Sequence, residues 1–171
     1  MTEQEQILTH IRNCRRIDLY ADPRPLNGLQ SDQLKRIGDR RKFGEPLQYI
    51  LGTCEFMGLA LSLDERVFIP RPETEILVDV VLERIRGLED QRSVQFIRIL
   101  DLGTGSGNIA VSLAKYGKDC AVTAVDCSSA AIEVAQGNAQ RQGVADKINF
   151  LQGDLWEALK GEFEEEKFDF V

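Results

Sequence analysis

ILDLGTGSGNIA, residues 99–110, decides the fold class. An apolar run ends in Asp101. Glycines follow at 103, 105 and 107, and an apolar pattern with helical spacing takes over from there. A strand that passes through a glycine-rich turn into a helix opens a βα unit. Glycine at such a turn permits positive φ and lets the backbone come close to a ligand.

The alternation continues on the C-terminal side. Residues 96–102 read as a strand and 107–116 as a helix. Residues 121–126 read as a strand, 129–142 as a helix ended by Gly143, and 148–151 as a strand. A short helix is predicted at 155–160, and 168–171 begins another strand. Strands alternating with helices predict an α/β fold with a parallel sheet and right-handed crossovers. The charge-rich run Glu162–Lys167 reads as a solvated loop.

The N-terminal side has a different texture. Residues 2–18 read as one helix, with Thr2 and Glu5 at capping-box spacing and Ile7, Leu8, Ile11 and Cys14 on one stripe. ADPRPLNG (21–28) is a loop. Ser31 and Asp32 are expected to cap a second helix that turns Leu34, Ile37 and Phe43 inward and stops at Gly44 and Pro46. From Thr53 to Leu63 the period changes to two, with a turn at Gly58, which predicts a hairpin. In VFIPRPETEILVDVVLERI (67–85), Pro70 and Pro72 stiffen the approach to a helix. Pro72 suits the first helical position, and Glu73 and Glu75 suit the positive end of the dipole. Ile76, Leu77, Val80, Val81 and Ile85 are the expected buried face. GLEDQRS (87–93) reads as a polar linker. The expected organisation is a helical unit at 1–50, a hairpin linker at 51–67, and a sheet domain over 68–171.

Bulk properties narrow the function. Net charge is −7 and uneven: residues 1–50 carry nine basic and seven acidic side chains, residues 51–171 twelve and twenty-one. An acidic bulk argues against a general nucleic-acid binder. Arg36, Arg40, Arg41 and Lys42 form a basic cluster, read as the solvated face of a helix. The four cysteines show no C-x-x-C spacing and the only histidine is His10, so neither a zinc site nor a disulfide framework is expected. No apolar run reaches the roughly 20 residues of a membrane span. MTEQEQILTH lacks the basic flank and long apolar segment of a signal peptide, so a cytoplasmic protein is expected.

Ligands of open α/β sheets sit beyond the carboxyl ends of the strands, where residues 101–107 fall. A plain glycine turn without a ligand is one reading. A P-loop fails, because no Gly-Lys-Ser/Thr follows. The dinucleotide fingerprint is weakened, because its third glycine would fall at Asn108 or Ala110. The third class has an acid before G-x-G-x-G, and this pattern resembles motif I of the class I S-adenosylmethionine (SAM) methyltransferases. Asp126 ends the next strand, 19 residues after Gly107, where a carboxylate can accept hydrogen bonds from both ribose hydroxyls. Asp154 ends the following strand in LQGDLW. Three acids at three successive strand ends favour an adenosyl ligand.

PLQYILG (46–52), EFMGL (55–59), FIPRPETE (68–75) and ILDLGTGSGNIAVSLA (99–114) together make the chain resemble the HemK/PrmC family. These are the protein-(glutamine-N5) methyltransferases of peptide chain release factors. FIPRPETE is the specific signal. The resemblance implies a helical substrate-binding unit followed by the first part of a Rossmann-like SAM domain. It implies that Gly103, Thr104, Gly105, Ser106 and Gly107, behind Asp101, wrap the methionine and ribose part of SAM. Asp126 would hold the ribose, and Asp154 and Leu155 the adenine. Phe68, Pro70, Arg71 and Thr74 would cover the cofactor and border the opening for methyl transfer. The implied partner is a release factor. The family's Asn-Pro-Pro-Tyr motif lies at the end of a fourth strand, which in this sequence only begins, at FDFV. The chain is therefore expected to be a fragment, inactive alone, with no catalytic residue of its own assigned. Three alternatives stay open: another class I methyltransferase acting on an amine or a base, a non-catalytic short form, and an NAD-dependent oxidoreductase.

Overall fold

A computed structural model describes residues 1–91, 96–160 and 167–171 of the chain. The chain divides into two compact units, Met1–Gly52 and Thr53–Val171.

The first unit is helical. α1 (Glu3–Arg12) opens with a capping box. The Thr2 hydroxyl accepts the Glu5 N–H at 3.2 Å, and the Glu5 carboxylate accepts the Thr2 N–H at 2.7 Å. The helix expected to run to residue 18 breaks at Asn13, which turns left-handed (φ 47°). Asparagine adopts this conformation more easily than most residues. The break makes room for a separate α2 (Arg16–Ala21) that folds back on α1. Glu5 ties the two: it is buried, and it accepts Arg16 Nε at 2.9 Å and the Tyr20 hydroxyl at 2.5 Å.

α3 spans Gly28–Lys42. Its cap is Asn27, boxed with Gln30, not Ser31 or Asp32, which lie inside the helix. An Asx cap needs only an extended residue followed by free amides, and Asn27 meets that condition one turn earlier. Ile37 is buried as expected, but Leu34 is partly exposed and Phe43 faces solvent. The basic cluster is largely paired: Arg40 with Glu45, Arg41 with Glu3, Lys42 with Asp39. α4 (Leu47–Leu51), not anticipated, carries the unit to Gly52.

The second unit opens with the hairpin β1 (Thr53–Phe56) and β2 (Leu59–Ser62), with Phe56 paired to Leu59. Met57 (φ 51°) and Gly58 (φ 71°) form the two-residue turn with both φ positive that suits the twist of a hairpin. The tip is held by Glu75, which accepts the Met57 N–H at 2.8 Å, and by the Tyr116 hydroxyl, which donates to the Met57 carbonyl at 2.7 Å.

α5 (Glu73–Gln91) follows, and it absorbs the front of the segment expected to be a polar linker. Among its described side chains Val78, Leu82 and Ile85 are buried, while Ile76, Leu77 and Val80 are exposed. The helix is apolar over a wide arc, so two stripes share its spacing. The packing surface selects the one at i, i+4 and i+7.

Three parallel strands form the sheet: β3 (Ile97–Leu102), β4 (Cys120–Asp126) and β5 (Ile148–Gln152), in the order β3-β4-β5. The crossovers are α6 (Asn108–Tyr116) and α7 (Ser129–Gln142). Ile97, Ile99, Val122, Ala124 and Ile148 face the helices; Leu100 and Val125 face the opposite side, with Leu159 and Phe168. A single 3-10 stretch, Leu155–Leu159, stands where a short helix was expected. Residues 162–166 of the expected loop lie outside the described residues, as do residues 161 and 92–95. Phe170 bridges Ile99 in parallel on the free side of β3. The chain thus runs outward from β3 and returns to its other side, so a topological switch point falls at β3, the strand that carries Asp101 next to its carboxyl end. Among the described residues, no helix is long and apolar enough to cross a membrane.

Candidate cofactor site

The loop after β3 is held from both sides. Gly103 and Thr104 donate their N–H groups to the Val125 carbonyl at 2.8 and 2.9 Å, which continues the β3–β4 pairing past the strand end. The Gly107 N–H closes a turn on the Thr104 carbonyl at 2.8 Å. Gly103, Gly105 and Gly107 all have positive φ, at 77°, 54° and 76°. The three are not equivalent. A Cβ at Gly107 would stand 2.9 Å from the Cβ of Ala135 on α7, so that glycine seats the loop against a helix. Among the described residues, a Cβ at Gly103 would meet no further atom within 4 Å, and one at Gly105 only a loop carbonyl at 4.0 Å. These two glycines face open space. Gly107 also caps α6, so the positive end of that helix adjoins the loop.

Asp101 is buried behind the loop. Its carboxylate accepts the Thr104 hydroxyl at 2.7 Å. Burial pushes its pKa upward and the nearby charge of Asp126 adds to this; the bonds from Thr104 and the Ala110 N–H oppose it. Its contacts are those of a loop brace.

Asp126 is half-buried at the end of β4. One carboxylate oxygen accepts the Gly105 N–H at 2.9 Å and the other accepts the Ser128 N–H at 2.9 Å. Each oxygen keeps acceptor capacity for a further donor. A carboxylate with two free acceptor positions beside an open glycine loop fits a vicinal diol.

The third strand end is joined to the second by the Gly153 N–H, which donates to the Asp126 carbonyl at 3.0 Å. Asp154 and Leu155 follow, both exposed, and Leu155 has φ 46°. A left-handed leucine is strained, and such strain concentrates at functional sites. The structure therefore places Asp101, the glycine loop, Asp126 and Gly153 in one hydrogen-bonded group, with Asp154 and Leu155 directly after it.

The segment before α5 is anchored by its alternate residues. Leu63 and Val67, with Ile69, pack on Ala131 and Val134 near the start of α7. Between these anchors Phe68 is 92% exposed. Pro70 is half-buried, Arg71 is exposed, and Thr74 closes a turn by donating its N–H to the Arg71 carbonyl at 3.0 Å. A single exposed ring is common on protein surfaces and does not mark a ligand site by itself; Phe43 is 91% exposed as well. Sequence reasoning missed Asn138, fully buried on α7, which bonds to both the loop and the hairpin. Its signal was present: a polar residue on the buried stripe Ala131, Ala135, Asn138.

Residues 2–52 match the family model of the PrmC N-terminal domain, and residues 95–171 match a methyltransferase domain. The chain is 40% identical over 157 residues to the release factor glutamine methyltransferase of Chlorobaculum tepidum, covering 90% of this chain and 52% of that protein. It is 39% identical over 170 residues to that of Bordetella pertussis, covering 99% of this chain and 59% of that protein. The chain thus spans about half the length of the curated relatives it matches. Among solved structures, the N-terminal domain of human METTL16 in complex with SAH aligns with a TM-score of 0.48 at 23% identity, over 61% of this chain and 42% of that one. The first unit thus matches a PrmC N-terminal domain and the second a methyltransferase domain, in a chain about 40% identical to release factor glutamine methyltransferases over most of its own length.

Proposed function

We propose that this protein binds SAM in the loop after β3 and serves the methylation of a glutamine side-chain nitrogen in peptide chain release factors. The observation that carries the reading is the pairing of Gly105 with Asp126. An open, positive-φ loop and a diol-ready carboxylate share one hydrogen bond at the sheet's switch point.

In this reading Asp126 accepts the ribose hydroxyls. Gly103 and Gly105 leave room for the methionine end, and Asp154 and Leu155 flank the adenine. Phe68, Pro70, Arg71 and Thr74 border the opening toward the substrate. SAM, when bound, supplies a methyl group on a sulfonium that is already a good leaving group. The protein's task is positional. A glutamine amide nitrogen is a poor nucleophile because its lone pair is delocalised, so it must be held in line, with acceptors on its hydrogens. The family resemblance assigns those acceptors to an Asn-Pro-Pro-Tyr motif. The names of the relatives supply the release factor as substrate, and the first unit is the surface we assign to it.

The test is methyl transfer by the protein as its own cells make it, with labelled SAM and a release factor, mapped by peptide mass spectrometry. Label on a glutamine side chain is expected. Label on an amine or a base, or none, refutes the assignment.

A further inference from the structure

Asn138 does more than fill the core. It sits on α7 at 0% exposure. Its Oδ1 accepts the Ser62 N–H at 2.7 Å. Its Nδ2 donates to the Ser62 carbonyl at 3.0 Å and to the Ser106 carbonyl at 2.9 Å. The amide therefore treats Ser62 as a neighbouring strand would, engaging both its backbone groups, and spends its second hydrogen on the glycine loop. One turn later on the same helix, Gln142 donates to the Ala60 carbonyl at 2.7 Å, and Arg141 bonds to the Ser62 hydroxyl. α7 thus runs beside β2 as a substitute strand, and Asn138 is the point where that line meets the loop.

Ser62 closes β2 and opens the segment that leads through Leu63, Val67 and Ile69 to Phe68–Thr74. Ser106 belongs to the glycine loop, which Gly107 seats against Ala135, three residues before Asn138 on α7. One buried side chain therefore fixes both the loop and the end of the strand from which the Phe68–Thr74 segment starts.

We propose that Asn138 is a positioning residue for the cofactor: it ties the glycine loop to the end of β2 and so holds the loop in its ligand-ready place. This rests on the SAM reading above. No other side chain of this size makes all three bonds. Aspartate accepts from Ser62 but cannot donate, so its carboxylate would face two carbonyl oxygens. Alanine leaves one buried N–H and two carbonyls unpaired, and such groups are costly to leave unmade.

The experiment compares Asn138→Asp, Asn138→Ser and a control, Val78→Ala, in the full chain. Val78 is fully buried on the inner face of α5 and belongs to neither the loop nor the hairpin. All three lose stability. Amide exchange is read by NMR without ligand, and S-adenosylhomocysteine affinity is read by calorimetry at a temperature where each variant is folded. Exchange is expected to rise selectively at Gly105 and Gly107 in both Asn138 variants and also at Ser62 in Asn138→Ser, and affinity to fall about tenfold, the scale of one lost buried hydrogen bond. The control keeps wild-type affinity. Exchange that rises uniformly, as in Val78→Ala, overturns the proposal, and so does wild-type affinity in folded Asn138→Ser. A wild-type chain that takes no S-adenosylhomocysteine refutes the SAM reading instead, while the exchange pattern still decides whether Asn138 couples loop and hairpin.

Discussion

Gly107→Ala and Gly103→Ala look alike in sequence and should behave differently. Both positions have left-handed φ, 76° and 77°, so each substitution carries backbone strain of roughly 1–2 kcal/mol. At Gly107 the new methyl would stand 2.9 Å from the Ala135 Cβ and 3.1 Å from its Cα, both on a helix that cannot retreat without moving Asn138. Overpacking of that kind costs about 1–3 kcal/mol more, for a sum of roughly 2–5. At Gly103 the methyl meets no further atom among the described residues, so strain is the whole cost. Urea denaturation, followed by circular dichroism, reads the difference as a shift in midpoint at constant slope. Gly107→Ala should lose about twice the stability that Gly103→Ala loses, or more. Affinity for S-adenosylhomocysteine separates them a second way. Gly103→Ala keeps most of its stability and loses binding, because its methyl occupies the room the cofactor needs. Equal stability losses would refute the packing argument. Wild-type affinity in Gly103→Ala would refute the cradle.

Three further outcomes are expected. Asp126→Ala removes the acceptor for Gly105, Ser128 and the proposed ribose, and should weaken S-adenosylhomocysteine binding by about 1.5–3 kcal/mol, the scale of hydrogen bonds to a charged group; unchanged affinity by calorimetry removes Asp126 from the site. Glu5 is held down at about 2, chiefly by the Tyr20 hydroxyl, then by the Thr2 N–H and Arg16, against an ordinary value of 4.5. Its stabilisation is complete above pH 4.5 and is lost as pH falls toward 2. Thermal melts of Glu5→Gln should therefore lie below wild type at neutral pH and converge on it through that window, and a gap that stays constant with pH contradicts the linkage. Deleting residues 1–52 should abolish capture of a release factor in a pull-down and leave S-adenosylhomocysteine binding unchanged; capture that survives the deletion moves the docking surface out of the helical unit.

The sheet unit was legible because its signals are local. An acid lies within two residues of each sheet strand's end, the next helical element starts a few residues on, and the distance from Gly107 to Asp126 is set by one helix and one strand. The hairpin was legible from Leu59 and Leu61 alternating past Gly58. What escaped was decided by packing. Asn13 can end a helix or continue it, and the choice follows from Glu5 finding Arg16 and Tyr20 on a second helix. α5 offers two apolar stripes, and only the neighbouring surface chooses Val78, Leu82 and Ile85 over Ile76, Leu77 and Val80. Asn138 acquires its partners from residues 76 and 32 positions away, so its period marks it as buried while nothing local says what it holds.

The central claim is that the glycine loop and Asp126 bind the adenosyl cofactor. The most direct measurement is an amide NMR titration of the chain with S-adenosylhomocysteine, run beside one with NAD. Saturable shifts at Gly103, Gly105, Gly107 and Ser128 with the first ligand and none with the second are predicted. Shifts produced by NAD, or shifts that leave these four amides unmoved, would contradict it.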